Sequence, residues 1–245
     1  MDAQTTTSQS STLLQVVATR WTHSIPHASQ RRSRDTFRKV IKGLEDILSE
    51  RGSVEFTSLD LAERAGLSIG AIYHHFKNKD ELLRFLHASL VANLLDEQVE
   101  RLERLGDSAD RVDLVSQLID AIGASLRPRR QVLRALTIHS VEDPITARVS
   151  RLYRKTLEGK LRKLLLMHQE TRATENAAHA ASVLSQMILS GVLQFLCIDT
   201  VDRADCRDDQ WSSFADDLAN VCAAYISAGS NKRPETPAVQ RKGSA

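Results

Sequence analysis

The chain of 245 residues holds 42% hydrophobic and 26% charged residues, a balance that excludes a disordered chain and fits one or two globular domains. With only 10 Gly and 5 Pro, and with no proline over 27–127 or 145–233, a turn-rich sandwich or barrel is excluded and an all-α fold is predicted. The net charge is only +2, so affinity for nucleic acid must come from local clusters; Cys197, Cys206 and Cys222 form no CxxC pair, which argues against a disulfide or zinc framework and for a reducing cytoplasm.

Residues 1–30 open on a Ser/Thr/Gln-rich run that lacks the basic start and apolar core of a secretory signal, and read as a largely flexible extension. Within it Leu13, Leu14, Val17 and Trp21 have the spacing of one short docking helix. Between Arg31 and Lys42 six basic residues face one acid, Asp35, and Phe37, Val40, Ile41, Leu44, Ile47 and Leu48 then repeat at helical spacing up to a left-handed stop at Gly52. Thr57 caps a short second helix, with Asp60 as the returning acid of a capping box. Gly66 turns the chain, Ser68 caps a third helix predicted over Ile69 to His75, and Asn78 with Glu81 repeats the capping logic for a long fourth helix.

Further helices are predicted over 79–104, 111–127, 129–141, 144–169, 173–199 and 208–228, with Pro128 and Asp143-Pro144 among the breaks. Ala177 to Ile198 contains no Asp, Glu, Lys or Arg, yet Ser182, Gln186, Ser190 and Gln194 recur every four residues as a polar stripe. That pattern predicts a buried helix of a soluble protein rather than a membrane span. The last helix carries Trp211, Phe214, Leu218, Val221, Cys222, Tyr225 and Ile226 on one face, and residues 230–245 lack apolar periodicity and read as a disordered tail. The domains expected are therefore 1–30, 31–77, 78–229 and 230–245.

The informative stretch is TSLDLAERAGLSIGAIYHHFKNKDELL, Thr57 to Leu83. Two short helices about a tight glycine turn, behind a basic helix, are the sequence form of a helix-turn-helix DNA reader. Ala62 and Ala65 let helices cross closely, Gly70 and Ala71 keep the reading helix narrow, and the Ser68 cap leaves backbone N–H groups to face a phosphate. An ordinary helical hairpin would share the caps and small residues, but not the whole ordered string.

On Thr57, Ala62, Ala65-Gly66, Ser68, Gly70, Ile72-Tyr73, His75-Phe76, Lys79 and Leu82-Leu83 the chain resembles the N-terminal domain of the TetR family of transcriptional regulators, over about residues 32–85. The resemblance implies a homodimeric repressor that binds a palindromic double-stranded DNA operator and is released by a small-molecule effector bound in a helical second domain. It also implies phosphate contacts at Thr57, Tyr73, His74 and Lys79 and groove contacts at Ile69, Gly70 and Ala71. Ile69 stands where a polar or basic residue is frequent and Ala71 where threonine is frequent, which leaves thymine-methyl contact, His74 and DNA shape to carry specificity. Arg31, Arg32 and Arg34 read either as a solvated charge run or as an arm before the first helix that follows the backbone or enters the minor groove. Tyr73 reads as core or phosphate contact, and His75 as a packed residue.

Ser182, Ser185, Ser190 and Gly191 on one helix and Trp211, Phe214, Leu218, Val221 and Tyr225 on the next are the expected dimer interface, a two-fold four-helix bundle; closing the chain's own core is the alternative. His139, Glu142, His168 and His179 lack paired i, i+4 spacing, and no GxSxG, GxxxxGK or HExxH is present, so no metal, cofactor or enzymatic activity is expected. The alternatives to a repressor are an activator or co-regulator, and a helical scaffold that does not use its helix-turn-helix. Second-domain helices rich in Leu, Ile, Val and Met with few aromatics predict an apolar pocket and favour an aliphatic or mixed effector.

Overall fold

Periodic apolar residues, side-chain caps and two left-handed glycines divide the chain into helices, and the computed structural model describes residues 31–105, 111–167, 176–198 and 208–229. Among the described residues all regular structure is helical. The N-terminal extension with its Leu13 to Trp21 pattern, and the 230–245 tail, lie outside them.

Helix α1 spans Arg31–Arg51 and buries Val40, Leu44, Ile47 and Leu48. Arg31, Arg32 and Arg34 form its first turn rather than preceding it. It stops at Gly52, φ 62°, whose N–H donates to the Leu48 carbonyl at 2.9 Å. Helix α2, Ser58–Ala65, crosses α1 where Gly43 has no side chain; a Cβ there would stand 3.2 to 3.3 Å from the Ala65 backbone and side chain. Helix α3, Ile69–Tyr73, is two residues shorter than expected, with His74 and His75 in a turn. Ile72 and Phe76 are buried at its base, and Phe37 of α1 stacks on Phe76 at 5.5 Å and meets Phe85 edge-on at 4.9 Å.

Helix α4, Lys79–Glu103, starts in this unit and continues as the central element of the rest. Around it lie α5 (Arg111–Leu126), a 3₁₀ turn at Arg127–Arg129 opened by Pro128, α6 (Arg130–Glu142), α7 (Pro144–Met167), α8 (Ala177–Leu193, continued as a π turn over Gln194–Ile198) and α9 (Asp208–Gly229). One continuous apolar cluster runs from Val40 in α1 to Ile226 in α9. The N-terminal unit rests on α6, where a Cβ at Gly52 would meet the Gln131 side chain at 3.0 Å.

Polar links tie α4 to α7 from end to end. Arg84 donates from Nε and one Nη to Asp143 at 2.9 and 2.6 Å, and Asp143 also caps α7 by accepting from the Thr146 N–H at 2.8 Å. Burial pushes the Asp143 carboxyl up, but the Arg84 and Thr146 hydrogen bonds outweigh it and hold it at about 2. His87 meets the Ser150 hydroxyl at 3.1 Å, and Lys160 reaches Glu103 at 3.5 Å. Buried between them, Tyr153 donates to Gln98 at 2.8 Å and Gln98 donates to Ser125 at 2.9 Å. Each polar group of this trio has a partner, as burial requires.

The two helices assigned to a dimer interface divide their residues. On α8, Leu184, Ser185, Ile188, Leu189 and Val192 are buried, while Gln186, Ser190 and Gln194 of the polar stripe are exposed. Ala177–Ile198 is long and apolar enough to cross a membrane by composition, yet half of it is buried inside the fold. On α9, Trp211, Ala215, Ala219, Cys222 and Ile226 are buried, whereas Phe214, Leu218 and Tyr225 are half-buried and Val221 is exposed. Ser185, 2% exposed, and Trp211, 5% exposed, are thus corrections: each is spent inside its own chain and has little surface for a second copy. Trp211 lies against Gly123 of α5 and donates to Asp120 at 3.3 Å. The space above Gly191 is filled by Leu218 and Phe214 of the same chain, at 3.2 and 3.6 Å from a Cβ placed there, so this glycine serves the α8–α9 contact.

Candidate nucleic-acid interface

The second and third helices are fixed by hydrogen bonds that the local sequence encodes. The Asp60 N–H donates to Thr57 Oγ1 at 3.1 Å and the Thr57 N–H to Asp60 Oδ2 at 2.8 Å, closing the capping box. Arg51 donates to the same carboxylate at 3.0 Å and, as the largest influence, holds its pKa at about 2. Arg64 pairs with Glu50 through both terminal guanidinium nitrogens, so two ion pairs stitch α2 to the end of α1. Gly66 sits at φ 63°, ψ 42°, and the Leu67 N–H returns to the Ala62 carbonyl at 3.0 Å. Only glycine takes that left-handed geometry without cost.

The Ser68 hydroxyl accepts from the Ala71 N–H at 3.2 Å, as its capping role predicts. A five-residue helix has a small macrodipole, however, so what α3 offers a duplex is its side chains rather than a charged helix end. Those side chains divide by face. Ile72 is fully buried and anchors the helix, while Ser68, Ile69, Gly70 and His74 are exposed and Ala71 is half-buried. A Cβ at Gly70 would meet nothing within 4 Å, so nothing in this chain requires a glycine there. His75 packs edge-on to Phe37 at 6.3 Å, and burial, then the neighbouring His74, lowers its pKa.

Tyr73 is half-buried and its hydroxyl lies 2.7 Å from the hydroxyl of Ser58, the first residue of α2. Lys79 donates from Nζ to the Phe56 carbonyl at 3.0 Å and lies 4.2 Å over the Phe56 ring, and burial lowers its pKa. An ammonium has three protons, so one bond to Phe56 leaves others for a second acceptor. The start of α2 therefore gathers the Thr57 and Ser58 hydroxyls, the Tyr73 phenol and, through Phe56, the Lys79 ammonium. Ser58 was not singled out by sequence, since its link to Tyr73 crosses 15 residues; its position immediately after a capping Thr was the available signal. The side chains of Arg31, Arg32 and Arg34 lie outside the described residues, but Arg38 and Lys42 on the same helix are 78% exposed.

Residues 40–85 match the family model for bacterial regulatory proteins of the tetR family. The chain is 34% identical over 105 residues to the HTH-type transcriptional regulator TtgR of Pseudomonas putida, a match covering 40% of this chain and 48% of that protein. For TtgR and for ArpR of the same species, the chain thus spans about half the length of the relative. The nucleoid occlusion factor SlmA of Cronobacter sakazakii is 27% identical over 195 residues, covering 76% of this chain and 91% of that protein. Among solved structures, a transcriptional regulator from Rhodococcus superposes with a TM-score of 0.55 at 22% identity, over 80% of this chain and 98% of that one. AibR, solved with isovaleryl coenzyme A and operator DNA, does so with a TM-score of 0.56 at 15% identity, over 76% and 97%. These two likenesses extend the shared fold beyond the N-terminal unit.

Proposed function

We propose, for a chain that belongs to the tetR family of transcriptional regulators, a repressor that binds a palindromic operator as a homodimer and is released by a small molecule. The observation that carries this reading is α3 itself: Ile72 is locked in the core while Ile69, Gly70 and His74 are presented outward beside the donors at the start of α2. In this reading Thr57, Tyr73, His74 and Lys79 hold phosphates, with Ser58 orienting Tyr73, and Arg31, Arg32 and Arg34 add backbone or minor-groove contacts. Ser68, Ile69, Gly70 and Ala71 lie along the major groove, where an isoleucine side chain favours a thymine methyl. Two reading helices must enter successive major grooves about 34 to 36 Å apart. A ligand that prefers another spacing then lowers operator affinity by linkage.

The effector half of the reading is supported by α4, which begins beside α3 and is buried among α5, α6 and α7. Its His87 Nδ1 and the neighbouring His139 Nε2 of α6 are buried without a hydrogen-bond partner, two polar points that an otherwise apolar effector would satisfy. Burial pushes the Cys197 and Cys222 thiols up to about 12 and 11, the reverse of an activated nucleophile. Cytoplasmic action on chromosomal DNA goes with this reading. The test is selection of a duplex from a random pool followed by titration against salt. A palindrome with half-sites one helical turn apart, bound less tightly as salt rises, supports it; absence of any preferred duplex overturns it in favour of a scaffold.

A second reading, favoured by the 91% coverage of SlmA, is a chromosome-bound factor that works through where it sits rather than through effector release. Genome-wide occupancy separates the two: a few promoter peaks support the repressor, many dispersed sites the second reading. Reporter output with and without the protein separates repression from activation.

A further inference from the structure

Charge is distributed unevenly over the outer helices. The 24 residues of α7 carry seven Lys and Arg against a single acid, Glu158, while the 22 residues of α9 carry four Asp and no Lys or Arg. On α4 Glu97 pairs with Arg101 and Glu100 with Arg104. On α7, among the described residues, only Lys160 pairs with an acid, Glu103. Arg148, Arg151, Lys155 and Arg162 stand exposed at spacings of three, four and seven, which places them along one outward stripe, and no described acid pairs with them.

Helix α8 lies between these two opposite fields. On one border Arg154 of α7 lies across it, donating to the Ser190 hydroxyl at 3.3 Å. On the other border, at the next residue along, Gly191 and Gln194 form one wall of an open cleft of about 560 Å³ whose other wall includes Asp209, Ser213 and Asp217 of α9. Cations therefore flank the exposed polar stripe of α8 on one side and carboxylates flank it on the other, at the same height.

We propose that this surface is self-complementary: in the homodimer the α7 cations, Arg151 and Arg154 first, face Asp209 and Asp217 of the partner's α9, across a two-fold axis that runs along α8. The inference rests on the homodimer reading above and adds its register and axis. A two-fold axis lying along a ridge exchanges the ridge's two flanks, so a surface positive on one side and negative on the other meets its opposite. An axis across the ridge would set cation on cation. α7 runs beside α4 and α8 packs along α7, so an axis along α8 also runs with the helix that starts at the DNA-reading unit. The half-exposed Phe214, Leu218 and Tyr225 and the exposed Val221 supply the apolar contact, and the charges choose the orientation.

The test is a charge exchange followed by sedimentation equilibrium of the full chain. Arg151→Glu/Arg154→Glu and Asp209→Lys/Asp217→Lys each place like charges opposite one another, and each is expected to raise the dimer dissociation constant at least about tenfold. All four positions are exposed, so both variants should keep the wild-type helical circular dichroism. Mixed in equal amounts, the two variants restore both contacts and should form heterodimers of near wild-type affinity. Wild-type dimerisation in either variant, or failure of the mixture to recover, overturns the inference while leaving a homodimer intact. A monomeric wild type at micromolar concentration overturns the homodimer reading and this inference with it.

Discussion

A series at Gly66 tests the turn that aims the reading helix. The residue sits at φ 63°, ψ 42°, and a Cβ there would meet no atom within 4 Å, so the cost of a side chain is purely conformational. Left-handed geometry costs an L-residue about 1 to 2 kcal/mol; asparagine pays less than alanine, and a β-branched side chain pays more. Stability should therefore fall in the order Gly, Asn, Ala, Val, by about 1 kcal/mol or less for Gly66→Asn and about 1 to 2 kcal/mol for Gly66→Ala. A domain stable by about 5 to 15 kcal/mol survives all three. Operator affinity should fall more steeply than stability, because relaxing the strain breaks the Leu67 N–H to Ala62 carbonyl bond and swings α3. Urea unfolding and duplex titration on the same preparations give both quantities. If alanine and valine match glycine in both assays, φ at this position is not left-handed and the account of the turn is wrong.

Tyr73→Phe removes the bond to Ser58 and Lys79→Ala frees the Phe56 carbonyl, and each should weaken operator and random duplexes by the same factor, since backbone contacts carry no base identity; a change in base preference measured by competition would count against this. Gly123→Ala places a Cβ 2.1 Å from Trp211 Cζ2 and should destabilise by about 1 to 3 kcal/mol or more, with the loss smaller than additive when Trp211→Leu is added; calorimetric additivity of the pair would refute the contact. Burial, then the nearby His139, pushes the His87 pKa from 6.5 down to about 4. The unfolded chain then binds the extra proton, so stability is full above about pH 6.5 and is lost as pH falls toward 4, by about 3 kcal/mol in all. A His87→Gln chain should show a flatter profile over that window, and an unchanged slope would show that other groups set it.

What could be read in the sequence was what hydrogen bonds over three or four residues: the Thr57 capping box, the Ser68 cap and the Gly66 turn all stand where residue types predicted them. Long-range pairings could not. Nothing in a linear pattern tells that Trp211 must lie on Gly123, 88 positions earlier, or that Arg84 and Asp143 meet. The α9 stripe shows the limit of periodicity: one broad apolar arc reads as one face, but the chain's own core takes Trp211, Ala215 and Cys222, holds Phe214 and Leu218 half-buried against α8 and leaves Val221 exposed. Likewise Ser185 and Ser190 are both small residues on α8, and only packing shows that the first is inside and the second outside.

The Arg84–Asp143 pair sets the leverage of the molecule. Arg84 lies five residues into α4 from Lys79, about 7.5 Å along the axis at a helical rise of 1.5 Å, and its partner is not mid-helix but at the corner where α6 gives way to α7. A load applied there acts on a short arm close to α3, so a small displacement of that corner reaches the reading end almost undiminished. Motion at the far end, near Leu102, acts on an arm several times longer and must first overcome every contact between. A tether so near the start of the rod leaves little of α4 between the Asp143 corner and the N-terminal unit, so the position of that unit follows the α6–α7 corner more closely than it follows the far end.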